Sequence, residues 1–247
     1  VIVTGSISSL GGTPLVIETS DNLVKDDGGS LIFGSSITNG IKLDFKDKTR
    51  GKFKGETTLE FTPLVGGVEQ KSFAIAEKGG FVNDIATNEV TQSENSSLIG
   101  SNNSRITSSV DSVIMGSVSS SIQHSGLSTI IGGQNNKVHH SASLETERVG
   151  SGVIGGSVNT ISSSFTSQSK IMNSYIFGGT QNSILQTGSI VISNATVVGG
   201  LANKIHQGIS GVVIGGYLNE VNSDQSAVIV GTANKVKHQN SVIIGMQ

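Results

Sequence analysis

Cysteine and tryptophan are absent from this 247-residue sequence, proline occurs twice, and aromatic residues make up only 4%. The lack of cysteine excludes a disulfide framework and thiolate metal sites, and leaves the compartment open. Charge is scarce as well: 14% of residues are charged and the net charge is −2, so no basic excess points to nucleic acid or an anionic membrane. No apolar run approaches the ~20 residues that span a bilayer. The opening Val1-Ile2-Val3-Thr4-Gly5 has neither an initiator Met nor a signal peptide's charged start, which predicts a processed chain or a fragment of something longer.

What is present is glycine, at 33 residues, together with Ser, Asn and Thr. β-Branched apolar residues recur among them at regular spacing, so the composition is not that of a disordered chain. The building rules change near residue 94. Residues 1–96 hold both prolines, six of eight Phe, and nine Lys/Arg against 13 acids; residues 97–247 hold seven Lys/Arg against five acids. The sequence predicts a β-rich N-terminal domain over 1–93, an attachment or shoulder element, and a repeat domain over 94–247.

In the first region Val1-Ile2-Val3, Leu15-Val16-Ile17 and Leu31-Ile32-Phe33 are β-prone, and Asn39-Gly40 marks a turn. Ile41-Lys42-Leu43-Asp44-Phe45 alternates as a half-buried strand should. Lys52–Lys54, Thr58–Phe61 and Ser72–Ile75 continue that pattern, predicting an antiparallel set of about six to eight strands. Ser30–Gly34 with Ile41 has the look of an imperfect copy of the later repeat. Residues 82–96 are polar and without apolar period, and are expected to be a connector.

The second region is an array. A first-glycine position falls at Gly100, Gly116, Gly132, Gly155, Gly178, Gly199, Gly215, Val230 and Gly245, in steps of 16, 16, 23, 23, 21, 16, 15 and 15 residues. Four places later stand Ser104, Ser120, Asn136, Asn159, Asn182, Asn203, Asn219 and Asn234; six places later, always Ile or Val. Fixed spacing of this kind defines a solenoid of about nine coils. Glycine pairs supply positive φ and close approach at a corner. Asn tolerates the left-handed conformation, and stacked Asn side chains can bond one another up a ladder. Each coil is expected to be two short strands and two corners; at about 4.8 Å per coil the rod is about 43 Å long.

The two residues before the first glycine are apolar in every copy, from Leu98-Ile99 through Ile130-Ile131 to Ile243-Ile244. Neighbouring residues of a strand point to opposite faces, so both faces are built to leave water. A lone solenoid buries only the inner one. The outer apolar face therefore calls for another layer, and the array's regularity points to an identical chain.

Three copies are longer, with extra residues around His139–Gly150, Ser162–Ser174 and Gln186–Ser193. Insertions at one corner map to one side of a solenoid. They carry the candidate receptor-facing residues Glu145, Arg148, Phe165 and Lys170, beside Glu147 and Met172. Corner filler, or an extra strand, is the plainer reading.

The Ser-x-apolar-apolar-Gly unit at 15–16 residues over 97–247 resembles the head repeat of YadA-like trimeric autotransporter adhesins, a repeat also found in bacteriophage fibres. The resemblance implies a left-handed parallel β-roll, three chains per rod, and adhesion or host attachment. The chain departs from the adhesin pattern in its Gly-Gly and Asn-x-Ile and in steps of up to 23, and no anchor or coiled-coil stalk is present. Val3-Thr4-Gly5-Ser6-Ile7, echoed by Thr187–Ile190, is similar to phage fibre segments.

His124, His139, His140, His206 and His238 all follow the second-strand apolar residue by one or two places, a corner where a solvated His is expected. No His-x-His occurs, and metal ligation needs converging side chains. A glycan-cleaving spike needs paired carboxylates. The array has only Asp111, Glu145, Glu147, Glu220 and Asp224, and no Ser/His/Asp order, Walker loop or dinucleotide fingerprint appears. Asp26-Asp27-Gly28-Gly29 lacks a calcium loop's ligand count. The basic run Lys46, Lys48, Arg50, Lys52 and Lys54 is a solvated strand face or, more sharply, a contact for an anionic glycan or a neighbouring subunit. No catalytic, cofactor-binding or metal residue is assigned.

The expectation is an all-β homotrimeric fibre on a virion surface, non-enzymatic, with other virion proteins and a host glycan or protein as partners and no nucleic acid or membrane insertion. A bacterial surface adhesin and a glycan-depolymerising tailspike are the alternatives; an ice-binding solenoid lacks its Thr-x-Thr ranks. The last copy stops at Gly245-Met246-Gln247 in mid-coil, which predicts continuation of the chain or a capping partner.

Overall fold

The structure is a computed structural model. It describes residues 30–36, 39–46, 53–54, 58–65, 68–69, 73–76, 80–83, 88–93, 95–140, 150–163, 171–186, 192–207 and 209–246. All elements among the described residues are strands. Fifteen strands form one sheet, ten form a second, and Ile171–Met172 pairs with Ile192–Ser193 in a third. No helix among the described residues is long and apolar enough to cross a membrane.

The coils stack in parallel and in strict register. In the first sheet Ile114 pairs with Leu98 on one side and Ile130 on the other. In the second, Ile122 sits between Ile106 and Val138. Alternation sends one apolar residue per strand inward: Leu98, Ile114, Ile130, Val153, Ile176, Val197, Val213 and Val228 are fully buried. They face Val90, Ile106, Ile122, Val138, Ile161, Ile184, Ile205 and Val221 of the second sheet, also fully buried. One coil cannot bury such a face alone; stacking makes the core continuous.

The coil has four corners rather than two. From Gly100 onward, positive φ recurs at Gly100 (59°), Asn103 (51°), Ser108 (48°) and Asp111 (51°), then at Gly116 (61°), Ser119 (53°), His124 (49°) and Leu127 (51°). Between them run the two sheets' strands and two short sides, tied by single bridges such as Asn102 to Val118 and Val110 to Gly126. Only one corner in four carries glycine; the others are taken by residues such as Asn103, Ser108 and Asp111. The left-handed conformation costs a non-glycine residue about 1–2 kcal/mol. Ladder hydrogen bonds offset that cost: Asn135 N–H donates to Val118 O at 2.8 Å and His124 N–H to Thr107 O at 3.0 Å.

The described residues within 82–96 belong to the coil array and not to a connector. Val82 and Val90 are fully buried, and they pair with Leu98 and Ile106. Asn88 Oδ1 accepts from Ser104 N–H at 3.0 Å. The signal was there, in Asn88-x-Val90 standing 16 places before Ser104-x-Ile106; the missing glycine at Asp84 concealed it.

The N-terminal strands extend the first sheet. Ser30–Ser36, Asn39–Lys46, Thr58–Val65, Phe73–Ala76 and Phe81–Asn83 pair antiparallel in succession, and Phe81–Asn83 then pairs parallel with Ser97–Ile99. Ser30–Gly34 is therefore half of a hairpin, Leu31 opposite Leu43, and not a copy of the repeat. Asn39-Gly40 lies inside a strand, beside an irregularity between Gly34 and Ser36, where small residues absorb a bulge. Phe53–Lys54 joins the second sheet, parallel to Glu89–Thr91. Val1–Val3, Leu15–Ile17 and the basic run over 47–52 lie outside the described residues.

Candidate interaction surfaces

The glycine corner is built by two residues with different duties. At the first position Gly132, Gly155, Gly178, Gly199 and Gly215 have φ of 63–71°, and a Cβ there would meet open space or, at Gly215, only ordinary contact. Val230 occupies the same place at φ 56°. At the second position a Cβ on Gly156 would stand 2.3 Å from Gly179 O and 2.5 Å from Asn159 Nδ2. The second glycine thus makes room for the asparagine. Where it is Ser101 or Ser117, the asparagine is also replaced, by Ser104 or Ser120.

The asparagines form a ladder, mostly side chain to backbone and not side chain to side chain as expected. Asn136, Asn159, Asn182, Asn203 and Asn219 are fully buried, and each Oδ1 accepts from the backbone N–H of the next, at 3.0–3.1 Å. Each Nδ2 reaches glycine carbonyls of the following coil, as Asn136 does to Gly155 and Gly156. The reason is demand: buried corner amides and carbonyls need partners more than the asparagines need one another. Only half-buried Asn234 adds a side-chain bond, donating Nδ2 to Asn219 Oδ1 at 3.1 Å.

The outer face of the first sheet carries a large apolar residue on every repeat strand, with Ser97, Thr129 and Thr196 interspersed. Met115, Ile131, Ile154, Phe177, Val198 and Ile214 are each 39–41% exposed, and Ile244 is 68% exposed. Val113, Tyr175 and Val212 flank them on that face, with Tyr175 and Phe177 stacked at 6.1 Å. Register places Ile41, Leu43, Leu59, Phe61, Phe73, Ile75 and Phe81 on the same face of the N-terminal strands, where Phe61 stacks on Phe73 at 4.5 Å. On the short side beyond the glycine corner the register column runs Asn102, Val118, Gln134, Ser157, Thr180, Leu201, Tyr217 and Thr232, so exposed apolar residues stand there among polar ones. Contiguous exposed apolar surface on this scale marks an interaction site.

The second sheet's outer face is polar. Arg105, Lys137, Lys204, Glu220 and Lys235 lie in one outward column. Glu220 bonds Lys235 Nζ at 2.8 Å, and its carboxyl is held below the usual range despite partial desolvation, through its bonds to Lys235 and Asn222. Asp224 accepts from Ile209 N–H and Gln239, and Asp111 accepts from Asn95. These carboxylates are occupied by ladder neighbours, and among the described residues no three His, Asp or Glu gather as a metal site.

The histidines do not share one environment. His124 sits at a corner; His139 and His206 lie in second-sheet strands, half-buried. His140 is 5% exposed, contrary to the solvated corner expected, and its Nε2 has no hydrogen-bond partner. Burial, then neighbouring His139, pushes its pKa down to about 4. In the first coils this place is a left-handed corner, at Gln92, Ser108 and His124; at His140, Ser163, Gln186 and Ser223 it is not, and these side chains are buried, Ser223 in a short coil. Ile171 and Ile192 fill the wider interior where short coils have Ser109 and Ser125. The insertion residues Glu145, Arg148, Phe165 and Lys170 lie outside the described residues.

No family model matches the chain, and neither a curated protein nor a solved structure does. The class the fold defines is an all-β repeat protein of solenoid type.

Proposed function

We propose that the chain is a non-enzymatic fibre: a homotrimeric rod on a virion surface that serves structure and host attachment. The observation that carries this reading is the outer apolar face of the first sheet, which presents large side chains at every step of about 4.8 Å. A partner matching that period over so many coils is most simply a second copy of the chain. Exposed Leu201 and Tyr217, paired in register just past the glycine corner, add apolar surface beside this face on two successive coils; three chains about an axis would cover them, and a flat two-fold pairing leaves them in water. The corner glycines, open on their outer side, allow close approach there.

The polar second sheet then faces outward. Light scattering at micromolar concentration tests the assembly: three chain masses are expected, and a stable monomer overturns it. Antibodies to the chain label projecting virion fibres if the assignment is right; labelling of a bacterial envelope moves the protein to the surface adhesins.

A further inference from the structure

The outward column of the second sheet has a gap. Glu89, Arg105, Ser121 and Lys137 follow one another in register, so a serine stands between two long cations. A groove of about 240 Å³ opens there and continues over the corner to Asn103 and Ser119. Its lining is wholly polar: Glu89, Arg105, Ser121 and Gln123 on the sheet, Asn103 and Ser119 at the corner, with further serines beneath. Arg105 Nη2 meets Glu89 Oε2 at 3.0 Å, so the groove's two charges cancel. Thr91 Oγ1 donates to Glu89 at 2.8 Å and Asn103 Nδ2 to Ser119 Oγ at 3.2 Å, which holds these side chains in place.

That lining selects a ligand by elimination. An apolar molecule finds no apolar wall. A carboxylate or phosphate meets the Glu89 carboxylate, and Lys137 lies outside the lining. Hydroxyl, amide, guanidinium and carboxylate together offer donors and acceptors on several sides, the complement of a molecule covered in hydroxyl groups. We propose that the groove is a subsite for an uncharged sugar unit of a surface polysaccharide. The inference rests on the attachment reading and gives it a ligand class and a place. The groove's sheet residues lie on the face opposite the proposed association face, and Asn103 and Ser119 lie at the corner that joins that sheet to the short side. With no aromatic platform each subsite is weak, and repetition around an oligomer supplies the avidity.

The test is saturation-transfer NMR on the intact chain with a panel of uncharged and uronic-acid oligosaccharides. Uncharged members are expected to bind in the millimolar range. Ser121→Gln, which fills the gap at an outward strand position, abolishes binding, and Arg105→Ala weakens it by about tenfold or more, both with assembly mass unchanged. Absence of binding by every uncharged saccharide, preference for the uronic acids, or wild-type binding by Ser121→Gln overturns the proposal. Light scattering on the same samples separates the two readings: a trimer that binds no sugar removes the subsite alone, and a monomer that binds sugar removes the fibre alone.

Discussion

Asn159 donates its backbone N–H to Asn136 Oδ1 at 3.0 Å, although the two lie 23 residues apart, and its own Oδ1 accepts from Asn182 in the same way. Each asparagine links three coils: it receives the one before, serves the one after, and reaches that coil's glycine carbonyls.

Cutting one link leaves a buried N–H and buried carbonyls without partners. Asn159→Ala is expected to lower stability by about 2–4 kcal/mol, as each orphaned group costs about 1–3 kcal/mol. Asn159→Ser keeps one acceptor, the arrangement used by Ser120 toward Asn136 N–H, and is expected to cost less. Urea unfolding of the two variants gives the order; equal losses sink the ladder account.

The paired glycines separate conformational strain from collision. Gly155→Ala meets open space at φ 71° and is expected to cost about 1–2 kcal/mol. Gly156→Ala drives a Cβ into Gly179 O and the Asn159 amide, and is expected to unfold the local coils or cost several-fold more. Hydrogen exchange across 150–186 distinguishes local from global loss.

A charge on the proposed association face discriminates the two sheets. Ile131→Asp is expected to convert the proposed oligomer to monomer with its β-sheet circular dichroism retained, because Ile131 is outward and not core. Lys137→Asp, on the outward face of the second sheet, is expected to leave the mass unchanged. Sedimentation velocity reads both.

Acid acts through His140. Its pKa is lowered from 6.5 to about 4 by burial and by His139, so the unfolded chain takes up the proton before the folded one. Stability is full above pH 6.5 and falls as pH drops toward 4, by about 3 kcal/mol in all. His140→Gln removes that component. Wild-type and variant melting curves between pH 7 and 4 should diverge in slope; parallel curves refute the assignment.

The sequence alone determined the parts of this protein that obey a period. Ile130-Ile131 announced one inward and one outward face, and the glycine and asparagine columns announced a corner, because strand alternation and glycine's conformational range are local properties. Only the tertiary structure decided the rest. Leu127 and Val158 take left-handed corners that their side chains disfavour, held by ladder hydrogen bonds to other coils. Phe61 and Phe73, legible as one apolar face of a strand, continue the outer face of the array's first sheet. His140, equivalent in sequence to the corner residue His124, is buried, with no left-handed turn at its own position. These placements involve neighbours 12 to 24 residues away, and a local reading of the chain contains no such neighbour.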